Sequence, residues 1–402
     1  MTTNQKNTNN NRFSFTLLAL GLVGLIVAVI AAFSGNQERF YQSYLVAFIF
    51  WLSVSLGSLA FLMVHYLTGS RWGLTVRRVN EAAAGTIWLM GLFFIPLLFN
   101  LRGLYLWARP EVVQADQVLQ LKSAYLNPSF FIGRAVFYFV IWIVLAWVIN
   151  RLSTRWAKDG DQEAKNKLKG LSAFGLILYT FTMSFASIDW MMSISPFWTS
   201  TGYGLIVIFA QMLSSLAFAI LVVNLVPDLG LGRSWDLKTT PIPYKDLGAL
   251  LLTFVMSWAY LAYFQLLIIW AGNIPEEVVW YTERIEGGWL TVGVLVAVLL
   301  FALPFVVLIS MRVRHNMRIL AWLGALIMVV SLVDVYWLII PSYYPGHFNL
   351  SWLDVVIPIG MGGVWLSVFL LNLKKRPALR EAEQQSLQPR VNHENKPVIQ
   401  EQ

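Results

Sequence analysis

Ten apolar runs, each long enough to cross a bilayer as a helix, take up more than half of this 402-residue chain. A spanning helix needs about 20 apolar residues to cover ~30 Å of hydrocarbon. The runs fall at 13–33, 43–67, 80–100, 128–150, 171–194, 201–226, 247–271, 287–310, 317–340 and 352–373, and are numbered spans 1 to 10. Strands are excluded by length and pattern, because a spanning strand needs only ~10 residues and alternates in polarity. Inside lipid every backbone polar group must find a partner within the chain, and a helix does this alone. The expected fold class is an all-α integral membrane protein with about ten transmembrane helices.

The 29 Lys and Arg residues follow the spans. The N-terminal tail, the second, fourth, sixth and eighth loops and the C-terminal tail hold 23 of them, counting Arg318 in the first turn of span 9 with the eighth loop; the five opposite loops hold 5, and Arg134 lies inside span 4. Basic residues are retained on the cytoplasmic side, so both termini are expected in the cytoplasm. The net charge of +8 then marks topology, and no nucleic-acid partner is needed to explain it. The first apolar run is too long for a signal-peptide core and lacks a convincing small-residue cleavage site, so it is read as a span.

Composition excludes several chemistries. With no cysteine, the chain cannot hold an iron–sulfur cluster by thiolates, attach a c-type haem or use a thiol nucleophile. Of four histidines only His65 falls within a span, whereas a bis-histidine haem needs intramembrane pairs. No Walker A, H-E-x-x-H or post-strand G-x-G-x-x-G motif is present. No metal site and no redox centre of its own are expected. What is left is chemistry of protons, ions or a lipophilic ligand.

Residues 1–12 are polar and Asn-rich and read as a disordered tail, 13–373 as one membrane domain, and 374–402 as a charged, Gln-rich cytoplasmic tail. Glu276, Glu277, Glu283 and Glu286 make the 272–286 loop acidic, which suits either a docking partner or plain solvation. Ser58-Leu59-Ala60-Phe61 of span 2 recurs as Ser215-Leu216-Ala217-Phe218 of span 6. Asp189-Trp190 of span 5 has a looser echo in Asp334 and Trp337 of span 9. The offsets suggest two parallel four-helix units, spans 2–5 and 6–9, with spans 1 and 10 peripheral.

A charge in the bilayer core costs at least ~2.5–3.5 kcal/mol, so each one asks for a partner, water or a task. Arg134, Asp189 and Asp334 all lie about 8–9 Å below the outer edge at 1.5 Å per residue, a depth that permits an ion pair or triad. They form either a structural clamp or an outward-facing proton or ligand site. On the cytoplasmic side His65 ends span 2, and Glu81 opens span 3 after a loop carrying Arg71, Arg77 and Arg78. Glu81 suits a helix start or, with His65, a proton inlet. Hydroxyls at Tyr179 and Thr182 of span 5, and at Tyr263 of span 7, suit either a water chain towards Asp189 and Asp334 or ordinary helix–helix hydrogen bonds. Asp354 reads as a helix-start residue. Trp198, Trp280, Tyr281 and Trp289 suit an interfacial belt or the border of a quinone mouth.

Three segments carry a resemblance: DWMMSISPFWTST from Asp189 to Thr201, VHYLTGSRWG from Val64 to Gly73, and IWAGNIPEE from Ile269 to Glu277 with Trp280 and Tyr281. Over about 40–372 the chain resembles the F-type, polysulfide-reductase-like membrane subunit of bacterial alternative complex III, a quinol:cytochrome c or quinol:acceptor oxidoreductase. The resemblance implies a subunit of the bacterial cytoplasmic membrane built from two four-helix bundles. Its implied partners are a paralogous quinol-binding membrane subunit, an iron–sulfur subunit, multihaem and monohaem cytochromes c, small membrane anchors and lipid. It also implies a proton path here rather than the main quinol site, with quinone binding by this chain left open. Two other classes suit the same spans. One is a secondary transporter for a small anion, with Arg134 as counter-ion and Pro96 and Pro304 interrupting spans 3 and 8. The other is a purely structural anchor.

Overall fold

A computed structural model describes residues 3–32, 35, 37–226 and 244–377, with the backbone alone over 3–13. The described residues are predominantly helical and contain no strand. Ten helices are long and apolar enough to cross a membrane, one for each run in the sequence. They are α1 (Thr3–Ala31), α2 (Gln37–Thr68), the pair α3 (Arg71–Ala84) and α4 (Ile87–Leu98), α5 (Pro128–Asp159) and α6 (Gln162–Trp190). After these come α7 (Tyr203–Leu225), α8 (Tyr244–Gly272), a short α9 (Pro275–Thr282), α10 (Trp289–Val296) with α11 (Leu303–Ile309), α12 (Met317–Ile339) and α13 (Leu353–Lys375). Span 3 is thus α3–α4, and span 8 is α10–α11. The proposed C-terminal tail beyond 377 lies outside the described residues.

Several helices outrun their apolar stretch because local chemistry fixes their ends. Asn127 caps α5 by accepting from the Phe130 N–H at 2.9 Å, with Pro128 in the first turn. Gly160 stops that helix in the left-handed region at φ 71°, and Asp161 at once caps α6 through the Ala164 N–H at 3.0 Å. Asn316 does the same for α12. The backbone of α1 is helical from Thr3, and its membrane-length part is Ser14–Ala31.

Span 3 departs from the expectation. A helix begins at Arg71 and breaks at Gly85–Thr86, ten residues before Pro96. Arg71, Arg77 and Arg78 are therefore helical, not loop, and Arg77 and Arg78 are buried. The Arg78 guanidinium donates to Leu373 O at 3.3 Å and Arg376 O at 3.1 Å, at the C-terminal end of α13. Span 8 contains a π-helical turn at Ala297–Ala302 directly before Pro304. Widening the turn accommodates a proline that offers no N–H to the helix.

α2 sits at the centre, buried along its whole apolar length, in contact with α3, α4, α6, α7, α12 and α13. Such a helix must be apolar on every side, and α2 is. Its approach to α7 is set at Gly57, where a Cβ would collide with the Gln211 carbonyl and Ser215 Cβ. One position on, the Ser58 and Ser215 hydroxyls share a hydrogen bond at 2.9 Å. α5 packs on α6 and α4; α12 packs on α7 and α10; α8 packs on α7 and α11. α1 lies almost entirely on α13, with Gly21 and Gly24 set against Gly360 and Gly363, backbone to backbone.

Candidate functional site

Polar residues concentrate at the two ends of the helical assembly, and α5 touches both groups. At one end Arg134 of α5 meets Asp189 of α6. Its Nε and Nη2 donate to Oδ2 and Oδ1, each at 2.8 Å, a two-pronged pair. Tyr138 O–H adds a third bond to Oδ2 at 3.0 Å, and Arg134 Nη1 donates to Tyr125 O at 2.9 Å. The guanidinium lies over Tyr125 and Phe130 at 3.8 and 4.4 Å. Asp189 is fully buried. Asp334 does not join, so the arrangement is a pair and not a triad.

At the other end Glu81 lies three residues before the end of α3, not at a helix start, and is fully buried. The helix-start reading fails because α3 begins a full ten residues earlier. One carboxylate oxygen accepts from Ser153 O–H and from Tyr66 O–H, the latter at 3.1 Å, and lies 3.7 Å from Arg77 Nε. The second oxygen has no hydrogen-bond partner. Asn150 Nδ2 donates to the Glu81 carbonyl at 3.2 Å. His65 is buried nearby against Tyr66, Trp72 and Gly73, within electrostatic reach of Arg77, and neither ring nitrogen is hydrogen-bonded. Ser153 and Arg134 are both on α5, nineteen positions apart (134 to 153), which is about 28 Å along a helix.

Between the ends, polar side chains pair off across helix seams. Tyr179 O–H donates to Gln211 Oε1 at 2.8 Å, and Trp142 N–H donates to Thr182 Oγ1 at 2.9 Å. Ser55 and Thr86 share a bond at 2.9 Å. Each is a local bond between two or three helices. Tyr263 does not belong with them. It is 64% exposed on α8, where it lines the open side of a cavity that Trp258, Gln265 and Asp334 also line.

No protein-family model matches this chain, and no curated protein matches it.

Asp334 of α12 lies near the same end as Asp189, since Ser195 and Ser342, in the loops after α6 and α12, are hydrogen-bonded at 3.0 Å. It lines a cavity of about 680 Å³ together with residues of α7, α8, α9, α10 and α12. Tryptophans expected at the lipid interface are interior here. Trp198 and Trp280 are buried and stacked at 4.6 Å, and Trp289 is fully buried. Between α9 and α10, Arg284 lies over Trp280 at 3.6 Å and donates to Trp280 O, Leu338 O and Ser342 Oγ. Burial pushes its pKa down to about 10, while Tyr203, Glu283 and Tyr281 oppose the shift, so it remains a cation at neutral pH.

Sequence reasoning locates the buried acids but misses most of their partners. Tyr138 and Ser153, which bond the acids, and Gln211 and Asn150, which bond Tyr179 and the Glu81 carbonyl, carry no signal in a string of spans, because only packing brings them to these partners. Arg39 likewise looks like a loop cation in the sequence. It is buried and paired with Asp354, whose other oxygen accepts from Ser43 O–H at 2.6 Å.

Proposed function

We propose that this chain is the F-type, polysulfide-reductase-like membrane subunit of a bacterial quinol-oxidising respiratory complex. In this reading it passes protons and not electrons, while a paralogous membrane subunit, an iron–sulfur subunit and cytochromes c carry quinol oxidation and electron transfer. The observation that carries the proposal is the pair of buried acid clusters about 28 Å apart along α5, one at Asp189 and one at Glu81. At Glu81 one buried carboxylate oxygen is bonded by two hydroxyls and the other has no hydrogen-bond partner, which leaves a position for a water or another proton carrier. The distribution of Lys and Arg supports an orientation with the Glu81 end and both termini on the cytoplasmic side. Within each half the helices are neighbours, α2 with α3, α4 and α6, and α7 with α8 and α12; the halves meet along α2 and α7, and α13 packs on α2 and α3 as well as on α1. The contact of Ser58 with its counterpart Ser215 suits repeats related by an axis along the membrane normal. An anion-transporter reading loses its counter-ion, because Arg134 is already engaged with both oxygens of Asp189.

The test uses the affinity-tagged chain isolated in mild detergent from its own membranes. Haem-containing proteins are expected to co-purify, and isolation of the chain alone would remove the assignment. In the reconstituted complex, Glu81→Gln is expected to slow proton uptake about tenfold or more per quinol oxidised, with electron transfer retained. An unchanged ratio of protons to electrons would remove the proton path.

A further inference from the structure

Residues 287–333 contain no Asp or Glu, yet the connection between α11 and α12 carries Arg312, Arg314, His315 and, in the first turn of α12, Arg318. It lies at the end of the assembly that carries Glu81. Two of the four side chains are occupied locally. Arg314 Nη2 donates to Ile309 O at 3.4 Å, and His315 Nδ1 lies 2.8 Å from Met311 O. The side chains of Arg312 and Arg318 are exposed and make no hydrogen bond or ion pair among the described residues. α8, which packs on the Met311–Arg314 turn, brings Asp246 together with Lys245, and Asp246 forms an ion pair with none of these arginines.

Retaining cations on one side of a membrane does not require them to stand alone. The hairpin between α5 and α6, at the same end, holds six, and four of these are answered within the chain. Arg155 pairs with Asp161 at 2.9 Å and Lys167 with Glu163 at 2.6 Å, while Arg151 and Lys165 lie over the rings of Trp147 and Trp156. Arg318, by contrast, is set against its own helix. The first turn of a helix favours negative charge, and α12 has no acid there.

The same corner carries an apolar outer surface. Arg318, Trp322, Ala325 and Val329 share one face of α12, and Trp322 and Val329 are 77% and 64% exposed. Across the turn Val306 and Ile309 of α11 and Met311 are exposed as well. Unpaired cations at the rim of a lipid-facing apolar surface suit a molecule with an anionic head and long apolar chains, whereas a free phosphate would use the cations alone. An arginine offers paired donors that match phosphate oxygens. We propose that this corner binds an anionic glycerophospholipid of the leaflet at the Glu81 end. Arg312 and Arg318 hold its phosphate, Trp322 sits at the level of its headgroup, and its acyl chains run along Val306, Ile309 and Val329. The inference rests on the helices spanning a membrane and does not require the respiratory assignment.

The test uses the purified full chain in phosphatidylcholine bilayers, with phosphatidylglycerol carrying brominated acyl chains as the probe. The chain has no cysteine, so Ala325→Cys places a single fluorophore on the lipid-facing stripe of α12. Ala173→Cys, at an exposed position of α6, places one beside the α5–α6 hairpin. Quenching by bromine reports which lipid adjoins each fluorophore. At 325 phosphatidylglycerol is expected to be preferred over brominated phosphatidylcholine about fivefold or more, the effect of one or two cations near the surface. Arg312→Gln with Arg318→Gln is expected to bring that preference below about twofold, the level expected at 173 in either protein. Both arginines are exposed, so the double variant should keep its packing. No preference at 325, an equal preference at 325 and 173, or a preference that survives the double substitution would overturn the proposal. None of these outcomes depends on whether haem proteins co-purify.

Discussion

Arg134 and Asp189 are worth little as a pair and a great deal as an obligation. Bringing two charges out of water offsets most of their attraction, but removing one leaves the other buried and uncompensated, at about 3–5 kcal/mol. Asp189→Leu alone should therefore lower the unfolding midpoint of the purified protein markedly in a fixed detergent, whereas Arg134→Met with Asp189→Leu should regain most of the loss. Equal midpoints for the single and double variants would show that the pair has no such coupling. At this scale the sequence was legible in one respect, because a charge inside an apolar run announces itself whatever its partner. Glu81 and His65 stand out the same way. Their surroundings do not, since Ser153 lies 72 residues from Glu81 and a serine in a membrane helix resembles every other small residue.

Among the helices, the contact between α2 and α7 is the closest constraint on how they assemble. Gly57 permits it, and a side chain there would meet backbone and not a movable side chain. Gly57→Leu is expected to destabilise by about 1–3 kcal/mol, as overpacking does, while Ser58→Ala should cost only about 0.6 kcal/mol, the average for a hydrogen bond between membrane helices. Denaturant unfolding in mixed micelles would rank the two, and the reverse order would show that the hydroxyl pair and not the close approach holds the helices. The existence of all ten membrane-length helices followed from apolar length, which lipid makes decisive. Their ends did not. α3 extends through a polar, Arg-rich stretch in which Arg77 and Arg78 are buried against other helices, and hydropathy counts an arginine as exposed however it is packed.

For the whole molecule, the absence of cysteine makes orientation directly testable. Gln114→Cys and Glu277→Cys should react with a membrane-impermeant thiol reagent in intact cells, and Asp161→Cys and Lys375→Cys only after the membrane is opened. The opposite pattern would invert the protein and with it the assignment of the Glu81 end to the cytoplasm. One further consequence follows from the seating of α1 on α13. Span 1 has as its chief partner span 10, made more than 300 residues later. At about 5–20 residues per second, the glycine face of α1 has no partner helix for roughly 15 s to a minute after it is made. Joining these two helices brings together segments far apart in the chain, and a ribosome that stalls before span 10 leaves its defect in a helix made correctly and long before.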